Sequence, residues 1–405
     1  MKTPISVEEP QAPRSSKCAF ELFLPRGSTS AVPDLSNIPA IDPLRWILFG
    51  ILIFLISAQS GCQGQDHSEQ PPSAPLFADM FHAIQDNLIK NCWVGNGDWR
   101  GDMQGDDVAF GPWLFYSIGE DCGIPEFVSM ATRTVDYEVS QLEKLFSGGM
   151  WNPMKMMKTV VGGPALIEGY RFTENPEYLQ WADTGLEIGT GIALMFPRML
   201  APVVLDPAVV VGVTADLDFE LFGITLDSRY SLWGLAAMDA AEGRFWNEEG
   251  GYYGDTLWDW PEATMLMALA QAFKATADPL YRARAEIVSE TADREFWDPE
   301  DSGYYGHDPV VPESKALSGN NLFAQAMLDW YEITGDSSYI ERAIRIQGFL
   351  QRVLYSKGIL WHHWTAEEGV ADYSCTGCNL MALGNIYRLN RLRGTPLPCP
   401  FDLIP

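Results

Sequence analysis

The stretch SGNNLFAQAMLDWYEITGDSSYIERA, residues 318–343, decides the fold, because its second half recurs along the chain. TGDSSYIERA at 334–343 has copies in TENPEYLQWA at 173–182, TLDSRYSLWG at 225–234 and TADPLYRARA at 276–285. From first to last, the threonines are 52, 51 and 58 residues apart, and GIPEFVSMA at 123–131 is a weaker earlier copy. A period near fifty residues marks a repeated supersecondary unit. Three residues before each threonine stands an aromatic (Tyr170, Phe222, Phe273, Tyr331), and eight before it a small or apolar residue (Ala165, Leu217, Ala268, Ala326), which share one helix face. After the Thr-x-Asx turn, with its helix-stop and N-cap chemistry, Tyr178, Tyr230, Tyr281 and Tyr339 are followed four residues on by Ala182, Gly234, Ala285 and Ala343. Each unit is a helical hairpin with a thin contact face on its second helix.

Extending the period outward predicts helices near 76–92, 105–119, 124–146, 160–173, 176–196, 208–224, 228–242, 261–275, 278–294, 318–333, 337–355 and 376–392. The first lacks a preceding partner and the last, TGCNLMALGNIYRLNRL, a following one. Pairing the two closes the row into a ring, where an open stack would need polar end caps. The start of the last helix matches SGNNLF at a spacing of 58, which sets Asn379 over Asn321. The chain reads as an all-α ring of six hairpins over residues 76–394, with a tail at 395–405.

The links between hairpins also repeat. FWNEEGGYYGDT at 245–256 has a near-copy in FWDPEDSGYYGHDP at 296–309, with glycines for tight turns and aromatics to cover helix ends. Packing alone accounts for Trp246 and Trp297, while Tyr253 and Tyr305 suit packing and ligand contact equally.

Of the 405 residues, 47% are apolar and 20% charged, a globular composition. Asp and Glu number 54 against 27 Lys and Arg, so the net charge of -27 argues against nucleic acid as a partner. WILFGILIFLISA at 46–58 is an apolar run too short for a spanning helix, which needs about 20 residues, and it reads as a secretory h-region. It runs into AQSGC, so residues 46–62 resemble a bacterial lipoprotein signal with Cys62 as the lipidated residue, although Gln59 replaces the usual apolar residue. The expectation is a leader at 1–62, a polar tether at 63–75 and a protein exported to the cell envelope, anchored to the membrane by lipid. Cys92, Cys122, Cys375, Cys378 and Cys399 fall in the body, and their connectivity stays open.

The architecture and loop style, carried by SGNNLFAQAMLDWYEITGDSSYIERA and FWDPEDSGYYG, resemble the (α/α)6 toroid of the six-hairpin glycosidases and N-acylglucosamine 2-epimerases. That resemblance implies a sugar or oligosaccharide ligand. In the epimerases two histidines act as acid and base at the ring centre, but DWPEAT at 259–264 has no histidine where the resemblance implies one.

If the long links share one end of the ring, their polar residues converge on one mouth. Carboxylates there suit glycosidic hydrolysis, which needs two of them about the scissile bond. The candidates are Asp106, Asp107, Asp259, Glu262 and Asp372, and the favoured pair is Glu262 with Asp106 or Asp107. Helix N-terminal capping explains the same positions structurally. Asp216, Asp218 and Glu220 form a further group, with Asp218 in a column that is otherwise Leu166, Leu269 and Met327. For sugar binding the candidates are Trp99, Arg100, Trp151, Tyr253, Trp258, Trp260, Tyr305, Asn321 and Trp361, with Trp364 as a further platform; about half of the tryptophans should be core. Isomerisation would instead use His307 and His362, and a glycan-binding scaffold needs neither set. No cofactor is called for; the one metal reading is zinc on Cys375 and Cys378 with His362 or His363.

Overall fold

The computed structural model describes residues 74–100, 107–147, 160–195, 207–248, 250–252, 259–307 and 312–400. The leader, Cys62 and nearly all of the tether lie outside them. Twelve helices are described: α1 (Ala78–Asn87, running into a π turn Leu88–Cys92), α2 (Gly111–Cys122, after a 3-10 turn Asp107–Phe110), α3 (Pro125–Ser147), α4 (Gly163–Thr173), α5 (Pro176–Met195), α6 (Pro207–Thr225), α7 (Ser228–Arg244), α8 (Asp259–Thr276), α9 (Pro279–Glu295), α10 (Leu317–Thr334), α11 (Ser337–Phe349, then a π turn Leu350–Leu354) and α12 (Thr376–Leu392). Helices α2, α4, α6, α8, α10 and α12 each contact the next, and α12 contacts α2, so the inner ring closes. The six others pack outside their hairpin partners, α1 against α12.

The recurring threonine is explained by its bonds. Thr173, Thr225, Thr276 and Thr334 each donate the hydroxyl to the carbonyl four residues back and accept the backbone N–H two residues on, at 3.2 Å each time. The residue between takes a left-handed φ: 56° at Glu174, 58° at Leu226, 57° at Ala277 and 68° at Gly335. Asn175, Asp227, Asp278 and Asp336 then accept the N–H two residues further on and start the outer helix. Ala182, Ala285 and Ala343 are fully buried, and Gly234 brings its backbone close to the Phe219 ring, where a Cβ would sit 3.0 Å from it.

Inner helices are covered on all sides, so their first halves are buried round the whole circumference, as Leu317–Ala324 of α10 shows. Trp330 is wholly buried and donates Nε1–H to the Leu266 carbonyl of α8 at 3.1 Å. No described helix is long and apolar enough to cross a membrane.

The links carry short strands: β1 (Trp246–Asn247) with β2 (Gly251–Tyr252), β5 (Tyr355–Ser356) with β6 (Ile359–Leu360), and an antiparallel sheet in the order β3 (Gly306–His307), β4 (Pro312–Ala316), β7 (His363–Thr365), β8 (Gly369–Val370). The twin Phe-Trp segments are built alike. Trp246 pairs with Tyr252, whose hydroxyl bonds Glu242; Arg284 grips Glu242 with two nitrogens and lies 3.8 Å over the Trp246 ring. Trp297 pairs with Tyr304, whose hydroxyl bonds Asp293; Arg342 grips Asp293 and lies 4.0 Å over Trp297. Both tryptophans are therefore fixed by a cation from the next outer helix.

Side chains of the last helix close the ring. Asn390 of α12 accepts the Leu76 N–H at 2.7 Å and donates to its carbonyl at 2.9 Å, and Tyr387 donates to Asp121 at 2.6 Å. A disulfide joins Cys122 at the end of α2 to Cys399 in the tail, across 277 residues of sequence. Breaking it by Cys399→Ser frees a very long loop in the unfolded chain, so the urea midpoint should fall by the equivalent of about 2–4 kcal/mol with helical circular dichroism unchanged in native buffer.

Candidate functional site

All short Thr-x-Asx turns follow the C-termini of inner helices, so the long links gather at the opposite end, where those helices begin. There the sheet β3–β4–β7–β8 joins the link before α10 to the link before α12. Lys315 pairs with Trp364 and Ala316 with His363, and Leu317, the first residue of α10, donates its N–H to the His362 carbonyl at 2.8 Å. His362 and His363 face each other Nδ1 to Nδ1 at 3.0 Å, and the Tyr373 hydroxyl lies 3.1 Å from His362 Nδ1. The His362 and Tyr373 rings stack at 4.7 Å. His363 is buried while His362 and Tyr373 are half-buried. Which ring nitrogen carries the proton sets whether His362 Nδ1 donates to or accepts from these neighbours.

Asp259, the first residue of α8, is 3% exposed. Its Oδ2 lies where side chains would otherwise be: a Cβ on Gly319 would come within 2.0 Å of it and one on Gly306 within 3.0 Å. The glycines of SGNN and GYYG thus make room for this carboxylate. Gly319 is two residues after Leu317, a rise of only about 3 Å. Asp259 and the His362–His363–Tyr373 cluster therefore flank the same first turn of α10. Half-buried Trp260 lies beside Gly319, its Cδ1 3.5 Å from the position a Cβ would take there.

Several expected site residues are placed elsewhere. Glu262 is wholly buried, with its carboxyl oxygens 2.8 and 3.0 Å from where a Cβ on Gly251 would sit, so it faces link backbone and not the open mouth. Asn321, expected to bind substrate, is also wholly buried and donates to the Cys378 carbonyl at 2.8 Å. Trp99 is core: it stacks on Phe115 at 5.4 Å and donates to Thr134 at 3.1 Å. Half-buried Tyr305 donates to Asp298 at 3.2 Å beneath Lys315, and half-buried Trp361 donates to Ser356 at 2.6 Å. Arg100 is exposed, and its carbonyl accepts from Thr376 at 3.0 Å, which sets it beside the start of α12; Asp372 is exposed on the link before that helix. Asp106, Trp151, Tyr253 and Trp258 lie outside the described residues, as do the side chains of Asp107 and His307.

Cys375 and Cys378 form a disulfide with each other, so neither thiol is available as a zinc ligand in this state. Among the described residues no group of three or more His, Cys, Asp or Glu side chains is arranged for a metal ion. Tyr373 was not anticipated, and its only sequence signal is its place in the link that carries the histidine pair. Lys315 was missed too. It is fully buried, bonded to Asp298 and Asp301, and its Nζ lies 5.2 Å from the Trp364 ring.

The N-acylglucosamine 2-epimerase (GlcNAc 2-epimerase) family matches residues 231–378. No curated protein sequence matches the chain. Among solved structures the chain is similar to a GH76 alpha-mannanase from Bacteroides thetaiotaomicron, with a TM-score of 0.58 at 12% identity over 78% of this chain and 96% of that one. It is similar to cellobiose 2-epimerase from Bacillus thermoamylovorans, with a TM-score of 0.57 at 12% identity over 77% and 99%. It is also similar to an unsaturated glucuronyl hydrolase from Streptococcus agalactiae, with a TM-score of 0.54 at 12% identity over 78% and 90%. At such identities the likeness shows the fold, the (α/α)6 toroid of the six-hairpin proteins.

Away from the mouth, the second halves of the inner helices carry an ion network. Arg171 bridges Glu168 and Glu220, and Arg388 bridges Asp329 and Glu332. Burial pushes Glu168 up to about 8, with the Glu220 charge adding and Arg171 opposing. Asp218, buried between α5 and α6, is pushed up to about 8 by burial, against a 3.2 Å hydrogen bond from Thr190. A carboxyl raised in the folded state favours folding fully below its unfolded value, and that contribution disappears as pH rises through about 8. Asp218→Asn carries no such proton. Its stability relative to the parent should therefore improve with pH, by up to about 1.4 kcal/mol per unit between the ordinary carboxyl range and the folded value, read from urea unfolding at stepped pH.

Proposed function

We propose that the chain is a carbohydrate-active enzyme that hydrolyses a glycosidic bond at the mouth of the ring, with Asp259 and Asp107 as its carboxylates. The observation that carries this is the backbone placement of the two residues. Asp107 opens the turn before α2 and Asp259 opens α8, and α2 and α8 are the first and fourth of six inner helices, opposite one another in the ring. Carboxyl groups on opposite sides of a bound sugar are what this reaction uses. The acid protonates the departing glycosidic oxygen, and the other carboxylate either activates a water or attacks the anomeric carbon. In each case one water is added across the C–O bond. Trp260, Trp361 and Trp364, all half-buried, supply rings on which sugar C–H faces can stack. The hydrolases among the similar folds support the substrate class.

A second reading, sugar epimerisation, draws on the family match at 231–378, which spans His307, His362, His363 and Tyr373. There the His362–His363–Tyr373 cluster would move the proton at the epimerised carbon. An exported, lipid-anchored location accords with the two disulfides, which persist in oxidising compartments, and with the run at 46–58 ahead of Cys62.

Incubation with a mixed oligosaccharide panel that includes uronic-acid glycans, followed by mass spectrometry, separates these readings. Products carrying one added water are expected, with Asp259→Asn about 100-fold slower or worse at an unchanged melting temperature. Unchanged mass with altered retention would instead assign epimerisation and move attention to His362. A panel left untouched by folded protein would contradict enzymatic action on these sugars and leave glycan binding as the alternative.

A further inference from the structure

Three inner helices meet the links at the same place, and two of them do so with an amide. Asn320 is the fourth residue of α10 and Asn379 the fourth of α12. Asn320 accepts the Tyr304 N–H at 2.8 Å and donates to the Tyr304 carbonyl at 3.0 Å and to Ala316, the residue before its helix, at 2.9 Å. Asn379 treats Leu360 and Cys375 in the same way, at 2.9 Å in all three bonds. In each case one side chain satisfies both backbone groups of a buried, extended link residue and ties off the helix start. The fourth residue of α8 is Glu262. It is as buried as the two asparagines, and its carboxyl lies on the Gly251–Tyr252 backbone, the counterpart of Gly303–Tyr304 in the twin segment.

We propose that Glu262 is a neutral carboxylic acid that substitutes for the asparagine clamp, accepting the Tyr252 N–H and donating its proton to the Tyr252 carbonyl as Asn320 does at Tyr304, and so positions Gly251–Tyr252 beside the start of α8. A carboxylate has acceptors only, whereas the acid offers one donor and one acceptor, the minimum the clamp requires. Gly251, at φ +108°, leaves the room that the carboxyl fills. The surrounding charges are engaged with each other. The Tyr252 hydroxyl bonds Glu242, which Arg284 holds; α6 approaches with Gly212 against Thr264, and α10 with Gly319 against Asp259, one turn before Glu262 on its own helix. Burial raises the proton affinity of Glu262 well above the carboxyl range, and the Tyr252 N–H opposes this. Its role is positioning, and it stands whether the mouth hydrolyses or epimerises.

The test is the melting temperature of the full chain from pH 5 to pH 10, for the parent, Glu262→Gln and Asn320→Asp. An amide keeps the donor at every pH, so Glu262→Gln should match the parent in acid and exceed it by several degrees in alkali. Asn320→Asp introduces the same proton requirement and should lose stability as pH rises, relative to the parent. A Gln variant that follows the parent's pH course would overturn the assignment. So would one that melts like the parent at every pH yet has lost all turnover, since that marks a catalytic acid. If Glu262→Gln does not fold, Asn320→Asp decides alone: a pH-independent offset from the parent contradicts the clamp, and a growing alkaline loss upholds it.

Discussion

A residue that leaves the water with an N–H and a carbonyl must find partners for both, and this ring meets that demand with asparagines on its last two inner helices. Asn320 takes Tyr304, Asn379 takes Leu360 and Asn390 takes Leu76. Each is a one-residue imitation of strand pairing, made by a side chain from a helix. The first two hold links at the mouth and the third seals the ring where its first and last helices meet. Without such bonds the links could not be buried against the inner helices, and no fixed mouth would exist. At the Tyr304 link the Trp297–Arg342–Asp293 stack adds a hold from the outside, so that link is gripped between an inner and an outer helix.

The hairpins were legible in the sequence because their turn chemistry is local. A threonine, a residue able to take positive φ and an Asx cap recur within four residues, and the helix boundaries they mark agree with the structure to within a few residues. The clamps were not legible, because the partners of Asn320 and Asn379 lie 16 and 19 residues away across links of different length and that of Asn390 lies 314 away. Setting Asn379 over Asn321 at 58 residues therefore missed by one: the equivalent residue is Asn320, 59 away, and Asn321 points its amide at Cys378 instead. The contact of the Glu262 carboxyl with Gly251 was not legible for the same reason, since the sequence shows a mouth carboxylate but not the backbone that it faces. Asp259 stood among the sequence candidates, but nothing in the sequence marks Gly306 and Gly319 as the glycines that make room for its carboxylate.

The two ends of the ring divide the work. The half of the ring nearer the short turns carries ion pairs between inner helices, with Arg171 and Arg388 each shared between two acids. The mouth gathers the groups suited to chemistry, Asp259 and the His362–His363–Tyr373 cluster, on either side of one helical turn. The half-buried Trp260, Trp361 and Trp364 stand at the same end, in the links and helix starts, and the family match at 231–378 spans all three.

Hydrogen–deuterium exchange of the full chain, with and without a mixed oligosaccharide panel, tests that division most directly. Ligand-dependent protection should fall on peptides from 251–262, 303–321 and 358–379, the links and helix starts of the mouth. Protection confined to the turns at 173–176, 225–228, 276–279 and 334–337, or none at all at saturating sugar, would contradict the account.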